Sequence, residues 1–160
     1  MDDTLSIRAA TVDDVGLLFG LIGKLAEYEQ LEHEFVGNAE LLERHLFGSV
    51  PAAEAAIAER GDNAVGFALW FTTFSTFLTR PGIWLEDLYV LREHRRGGIG
   101  RALLAHVARL AVVRECGRVE WSALDWNSPA LTFYRGLGAR TLDDWRTLRL
   151  DGAALHALGV

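Results

Sequence analysis

A glycine-rich segment between an apolar strand and a long helix places the tightest constraint on how this 160-residue chain folds. The segment spans residues 95–101 and reads RRGGIGR. Residues 83–90 are predicted to form a strand, and apolar residues at helical spacing predict a helix over 98–115. Glycines let backbone amides approach a ligand closely, and a helix N-terminus presents unpaired N–H groups at its positive end. The segment therefore predicts a site for a phosphate-type anion.

The known phosphate-binding loops differ from this one. No Gly-Lys-Ser/Thr follows the glycines, so the segment is not a Walker loop, and the first glycine of the dinucleotide fingerprint is missing at the required offset. A glycine-rich helix start that binds no ligand is the alternative interpretation.

Composition excludes several classes of protein. The chain has 16 Lys and Arg against 22 Asp and Glu, a net charge of −6, which argues against general nucleic-acid binding. One cysteine, Cys116, makes neither an internal disulfide nor a metal cluster. The acidic start lacks the apolar core of a signal peptide, and no apolar run approaches the ~20 residues of a membrane span. We expect one soluble, cytoplasmic domain over residues 1–160 that uses no metal and has no membrane partner.

Strands and helices are predicted along the whole chain, which indicates a mixed α/β domain. Thr11 and Asp14 form a variant of the capping box before a first helix, and Asn38 is placed to cap a second helix that ends near Gly48. A further short helix is predicted over 128–135. Alternating apolar residues predict strands over 5–9 and 119–123. A turn signal at residues 61–63 separates two further predicted strands over 53–59 and 64–73, and strands are also predicted over 83–90 and 145–150.

Two motifs resemble the signatures of the GNAT acetyltransferases. Arg95, Gly98 and Gly100 are spaced as in that family's Arg/Gln-x-x-Gly-x-Gly/Ala signature, whose loop cradles the pyrophosphate of acetyl-CoA. About thirty residues later, residues 127–139 are similar to the second signature, Asn…Ala…Phe-Tyr…Gly-Phe/Leu-Gly. Both motifs occur in the family's order and spacing, so coincidence is a poor explanation.

More narrowly, three segments resemble the spermidine/spermine (diamine) N-acetyltransferase branch: 25–29 (LAEYE), 85–90 (LEDLYV) and 125–127 (DWN). The resemblance implies the GNAT fold, a mixed and mostly antiparallel twisted sheet flanked by helices, with acetyl-CoA in an opening between two parallel central strands. The implied reaction is direct acetyl transfer to a primary amine in a ternary complex.

The resemblance also implies which residues hold acetyl-CoA. Its pantetheine arm would lie along the strand before the loop, its pyrophosphate on the loop amides, and its other side against the start of the 128–135 helix. The implied cofactor-binding residues are Leu88, Tyr89, Val90, Arg95, Arg96, Gly97, Gly98, Ile99, Gly100, Arg101, Asn127, Ser128, Pro129 and Ala130. Arg96 departs from the family, which usually has glycine at that position.

Two residues match the family's catalytic groups. Tyr134 matches the general acid that protonates the leaving thiolate, and Glu86 matches the carboxylate that helps to deprotonate the amine. The alternatives are a packed tyrosine and a structural ion pair. Asp87, which we expect on the opposite side of the strand, is the weaker candidate for the base.

Tyr28, Glu29 and Glu86 match substrate-contacting positions of the diamine enzymes, and acidic residues crowd the end of the first helix. A solvated charge run explains that cluster equally well. Thr76 stands near a position where the polyamine enzymes carry an acid, so a thialysine-like amine fits as well as spermidine. A protein N-terminus or lysine as acceptor, and a non-catalytic acyl-CoA sensor, are the alternative functions. The resemblance also implies a homodimer.

Overall fold

The computed structural model describes residues 4–159. The elements of this part of the chain are β1 (Leu5–Ala9), α1 (Val15–Glu29), α2 (Ala39–Phe47), β2 (Glu54–Arg60), β3 (Asn63–Ser75), β4 (Arg80–Val90), α3 (Ile99–Val113), β5 (Val119–Glu120), α4 (Ser128–Gly136) and α5 (Gly152–Leu158).

The five strands of this part of the chain form one sheet in the order β1-β2-β3-β4-β5. Three neighbouring pairs are antiparallel, whereas β4 and β5 run parallel. β2 and β3 are joined by a tight turn at Gly61 and Asp62, where Gly61 has a φ of 56°. The predicted fold class, a mixed and mostly antiparallel sheet flanked by helices, is confirmed.

Polar contacts fix the start of α1 to the sheet. Asp14, only 8% exposed, accepts hydrogen bonds from the Thr11 N–H at 2.7 Å and from both terminal nitrogens of Arg8 at 2.7 and 2.8 Å. Arg8 also donates to Glu59 of β2 at 2.9 Å. The predicted capping box is confirmed, and the bonds from Arg8 hold the pKa of Asp14 well below its usual range.

Helices cover both faces of the sheet. Phe67 and Leu69 of β3 belong to one apolar cluster with Leu18 of α1. The alternate residue Trp70 points to the other face, as strand geometry requires, and its ring lies 6.0 Å from that of His106 in α3. Because the sheet is covered on both sides, the central residues of β3 form a continuous apolar run.

The capping prediction for α2 is also confirmed. The Asn38 side chain accepts a hydrogen bond from the Leu41 N–H at 2.9 Å, and the helix ends at Gly48. The described part of the chain contains no helix long and apolar enough to cross a membrane.

The chain divides into two compact units, Met1–Ser122 and Ala123–Val160. The second unit holds α4 and α5, and α4 matches the predicted helix. Two strand predictions need correction: the strand over 119–123 is shortened to Val119–Glu120, and the strand over 145–150 is wrong. Trp145 and Leu148 of that segment are 75% and 91% exposed. Alternating side chains alone do not make a strand, since its backbone groups must also find partners.

Candidate active site

An irregularity in the pairing of β3 with β4 positions the first site residue. Leu85 pairs with Trp70 and Asp87 pairs with Leu69, so Glu86 is the extra residue of a β-bulge. Bulges bend a strand and re-aim a side chain. Leu85 is only 2% exposed, whereas Glu86 faces solvent.

Three carboxylates interact beside this bulge. The Trp84 indole N–H donates to Oε2 of Glu86 at 2.8 Å, which fixes that carboxylate. Burial, together with the negative charges of Glu86 and Glu29, raises the pKa of Asp87 to about 7. Burial also raises the pKa of Glu29 at the end of α1. Asp87 is therefore a partly buried carboxylate on which the negative charges of both Glu86 and Glu29 act.

The edge of β4 that faces β5 is open over part of its length. Within residues 4–159, β5 pairs with β4 only at Ile83 and Trp84. Beyond that point β4 has β3 on one edge, with Leu88 opposite Ala68 and Val90 opposite Gly66. The parallel pair thus opens towards the glycine-rich loop, and the extended ligand expected there would find backbone along 85–90 that β5 does not cover.

The loop that follows β4 has the backbone shape of an anion site. Gly98 has a φ of 79° and caps α3, so the first-turn amides from Ile99 point outward without helical acceptors. The loop residues 96–98 are exposed. A Cβ placed on Gly98 would meet no protein atom within 4 Å, so this space is open to a ligand. The residues present therefore fit a pyrophosphate.

Arg96 has a φ of 65°, in the left-handed region that favours glycine. The family's usual glycine at this position is thus explained by the backbone, which Arg96 follows at a strain cost of about 1–2 kcal/mol.

The Arg95 side chain turns back from the loop towards the sheet. Its Nε donates to the Val90 carbonyl oxygen at 2.9 Å. Its guanidinium carbon lies 4.2 Å from the ring centroid of Tyr28 and 5.4 Å from that of Tyr89. Tyr28 at the end of α1 is therefore in contact with the loop as well as close to Glu29.

The second unit carries the remaining predicted residues on α4. Asn127 is buried, and its side chain caps the helix by accepting from the Ala130 N–H at 3.3 Å, with Pro129 in the first turn. Tyr134 follows about two turns later on the same face as Asn127. Its ring is half-buried, and its centroid lies 5.2 Å from that of Phe133.

Sequence reasoning misses two contributions that the structure makes clear. Strict alternation puts neighbouring residues on opposite faces and so ranks Asp87 below Glu86, but the bulge interrupts that alternation. Trp84 is expected from sequence only in the core or lining a tunnel, and its bond to Glu86 spans two residues on one strand. The spacing of Trp84 and Glu86, both on one face of a strand, is the available signal. No group of three metal-ligating side chains occurs within residues 4–159.

Comparison with known proteins shows the family that the two sequence motifs resemble. The sequence profile of the Acetyltransferase (GNAT) family matches residues 24–139. The chain is 35% identical to a thialysine N-epsilon-acetyltransferase of Bos taurus, over 95% of each chain. It is 31% identical to an L-ornithine N5-acetyltransferase of Arabidopsis thaliana, over 95% of this chain and 86% of the relative. A spermidine/spermine N(1)-acetyltransferase-like protein of Homo sapiens is 28% identical over 93% of this chain and 23% of its own length.

Among solved structures, an integron cassette protein from the mobile metagenome of V. cholerae superposes with a TM-score of 0.81. It is 24% identical, and the match covers 99% of this chain and 98% of that protein, so it supports the fold alone. The family match and the named relatives make the chain an acyl-CoA-dependent transferase. The chain belongs to the GNAT acetyltransferase family, as an acetyl-CoA-dependent N-acetyltransferase.

We predict that acetyl-CoA at 100 times its dissociation constant stabilises the wild type by about 2.7 kcal/mol, which raises Tm by roughly 5–10 °C. Gly98→Val should abolish this shift, because the new side chain occupies the open space before the loop amides. Thermal melts with and without acetyl-CoA, and with CoA, measure the effect.

Gly152→Val is the matched control, since Gly152 also has a positive φ, 49°, and a Cβ added there would meet no atom within 4 Å. It should lose a similar amount of stability and keep the ligand shift. A folded Gly98→Val protein with the wild-type shift would place the phosphate elsewhere.

Proposed function

We propose that the enzyme transfers the acetyl group of acetyl-CoA to a primary amine of a small cationic substrate, of the diamine or thialysine-like type. One observation carries the proposal: Glu86 and Asp87 are neighbours at the β4 bulge, and the charges of Glu86 and of Glu29 both act on Asp87 and raise its pKa. The repulsion within such a group is relieved by a proton or by a cation, and an alkyl ammonium is such a cation.

The names of the relatives support this substrate class. Thialysine and L-ornithine are the acceptors in two of those names, and both carry a primary amine at the end of a side chain. Each also keeps a second amine, so a dicationic substrate suits a site with more than one carboxylate.

In the proposed mechanism Glu86 accepts the ammonium proton, directly or through one water. An alkyl ammonium titrates near ~10, so exposing its lone pair at pH 7 costs about 4 kcal/mol. Glu86 is suited to this task because the bulge exposes its carboxylate and the Trp84 N–H holds one oxygen, Oε2, at 2.8 Å. Its other oxygen is left to meet the substrate.

Asp87 and Glu29 are proposed to attract and hold the cation. With a pKa of about 7, Asp87 is partly protonated at neutral pH in the absence of substrate. An ammonium ion nearby would favour its ionised form, so that the cation and the carboxylate stabilise each other. Tyr28 adds an aromatic face next to Glu29.

For the cofactor, we propose that the amides of residues 96–101 hold the pyrophosphate and that backbone of Leu88, Tyr89 and Val90 lies along the pantetheine arm. Acetyl-CoA supplies the activated acetyl thioester, whose carbonyl the neutral amine attacks. The Tyr134 hydroxyl is proposed to donate its proton to the sulfur as the C–S bond breaks, since a phenol with a pKa of about 10 is protonated at pH 7. The proton that the attacking nitrogen loses on becoming an amide then restores the phenol, so that the products are CoASH and the neutral amide. From the motif resemblance, we also propose that the start of α4 contacts the other side of the cofactor, through Asn127, Ser128, Pro129 and Ala130.

Four expectations stay predictions: that residues 1–160 form one domain, that the enzyme is cytoplasmic, that it assembles as a homodimer and that it needs no metal. The homodimer follows from the resemblance to the diamine enzymes. The absence of a nucleic-acid partner follows from the net charge of −6.

The first test of the proposal is CoASH release with thialysine, L-ornithine, spermidine, propylamine and a peptide with a free N-terminus. We expect kcat/KM for the best diamine to exceed that for propylamine by about fivefold or more, in line with an added charge–charge contact. Glu29→Gln should raise KM for the diamine more than for propylamine, and added salt should shrink the difference. Preference for the peptide would favour a protein acceptor, and no turnover with any amine would favour a sensor.

We predict that Glu86→Gln lowers kcat/KM by about 10²–10⁴, the range for a group in general-base catalysis. The remaining activity should rise with pH as free amine becomes available. Asp87→Asn, at the adjacent residue, is the variant to compare with Glu86→Gln. In the wild type, KM for the amine should fall as pH rises through about 7, because Asp87 ionises there. This pH dependence of KM should disappear in Asp87→Asn. Normal activity of Glu86→Gln with a flat pH response would assign Glu86 a structural role.

We predict that Tyr134→Phe folds normally, binds acetyl-CoA within a few-fold of wild type and loses about 10²-fold or more in kcat, as expected for a missing acid. A tyrosine with only a packing role would instead lose about 1 kcal/mol of stability and keep its kcat. Phe133→Leu, on the adjacent ring, separates the two because it perturbs α4 packing without removing a phenol. Melting temperature, acetyl-CoA affinity and kcat decide between these outcomes.

A further inference from the structure

The Arg95 side chain joins three parts of the first unit that are distant in sequence. It belongs to the loop before α3, its Nε is bonded to the last residue of β4, and its guanidinium lies over the ring of Tyr28 in the last turn of α1. At 4.2 Å from the ring centroid this is a cation–π contact. A planar guanidinium suits this place, because it donates to a carbonyl and stacks on a ring at once.

The Arg95 guanidinium also lies over a second ring, that of Tyr89, which is held in the core. Tyr89 is 7% exposed and belongs to the apolar cluster between α1 and the sheet. Tyr28 packs against the same cluster, and the two rings lie 6.3 Å apart. Arg95 therefore rests on an anchored ring and on a second ring at the substrate end of α1. A shift of the loop backbone at Arg95 would move the support of Tyr28.

We propose that Arg95 is a positioning residue that couples the cofactor loop to the end of α1, so that acetyl-CoA on the loop orders Tyr28 and Glu29 for the amine. The inference rests on the proposed function, since it takes the loop as the cofactor site and the α1 end as the substrate site. Within one compact unit the Arg95 guanidinium contacts the Tyr28 ring, and Glu29 is the next residue of α1, so that the backbone of the last helical turn joins the two. Such coupling is reciprocal: each site must influence the other by the same factor.

The reciprocal effects are the test. Arg95→Gln removes the cation from the ring, and at saturating acetyl-CoA it should raise KM for thialysine by about threefold, within the range for a cation–π contact. Tyr28→Leu removes the ring, and it should raise the dissociation constant of CoA, measured by calorimetry without amine, by about threefold. The double variant should show no further loss in CoA affinity beyond Arg95→Gln alone. Arg92→Gln, an exposed arginine three residues earlier, should change neither quantity.

If Arg95→Gln weakens CoA binding while the thialysine KM stays at its wild-type value, and Tyr28→Leu binds CoA normally, the coupling is wrong and the loop is still the cofactor site. If Arg95→Gln does not fold, the CoA affinity of Tyr28→Leu decides alone. Failure of the proposed function looks different, because wild-type protein would then bind no CoA, or Gly98→Val would bind it normally.

Discussion

One extra residue in β4 interrupts its ladder with β3, and the active-site chemistry depends on that offset. Were the pairing regular, Leu85 and Asp87 would lie on one face of the sheet. Because they pair with the adjacent residues Trp70 and Leu69, the bulge puts Asp87 on the face opposite to Leu85, and Glu86 between them has no partner in β3 and is held by Trp84. Beyond this point β4 parts from β5 and leads into the loop. The same short stretch of backbone thus positions the Glu86 carboxylate and leads β4 into the glycine-rich loop.

Helix α1 supplies the other half of the acidic site, and it is held at both ends. At its start Asp14 is bonded to Arg8, which also reaches Glu59 of β2. At its end Tyr28 rests against Tyr89 and under Arg95. A helix fixed at both ends can present Glu29 beside β4 in spite of the unfavourable charge there. Packing and ion pairing elsewhere thereby offset the electrostatic cost at the site.

Local signals in the sequence predict most elements correctly. The capping residues Thr11 and Asn38, and the glycine before α3, are short-range features, and each one lies where it is expected. The errors arise from long-range pairing. The bulge at Glu86 depends on the register with β3, which alternation within residues 83–90 does not contain. The same holds for the segment 145–150, whose alternating side chains suggest a strand, although it pairs with no strand in the described part of the chain.

The site residues likewise divide into those that short-range motifs predict and those that depend on long-range contacts. Motif spacing predicts roles for the loop, Glu86 and Tyr28, but it gives no reason for Arg95 to turn back onto aromatic rings from α1 and β4. That contact needs three segments brought together by the sheet. The raised pKa of Asp87 has its origin in burial, in the charge of its neighbour Glu86 and in the charge of Glu29 from α1, and the sequence displays only the second of these.

The group of three carboxylates also bears on how the reaction ends. In the proposed function the amine arrives as a cation and leaves as an amide, which carries no charge. The attraction between the reacting ammonium and the carboxylates of Glu29, Glu86 and Asp87 is therefore lost in the chemical step, while the second amine of the substrate keeps its charge. Mutual repulsion among the carboxylates returns at the same moment, and protonation of Asp87 near pH 7 relieves it. Under the proposed function, acetylation thus weakens the contact that retained the molecule, and product release becomes more favourable than substrate release.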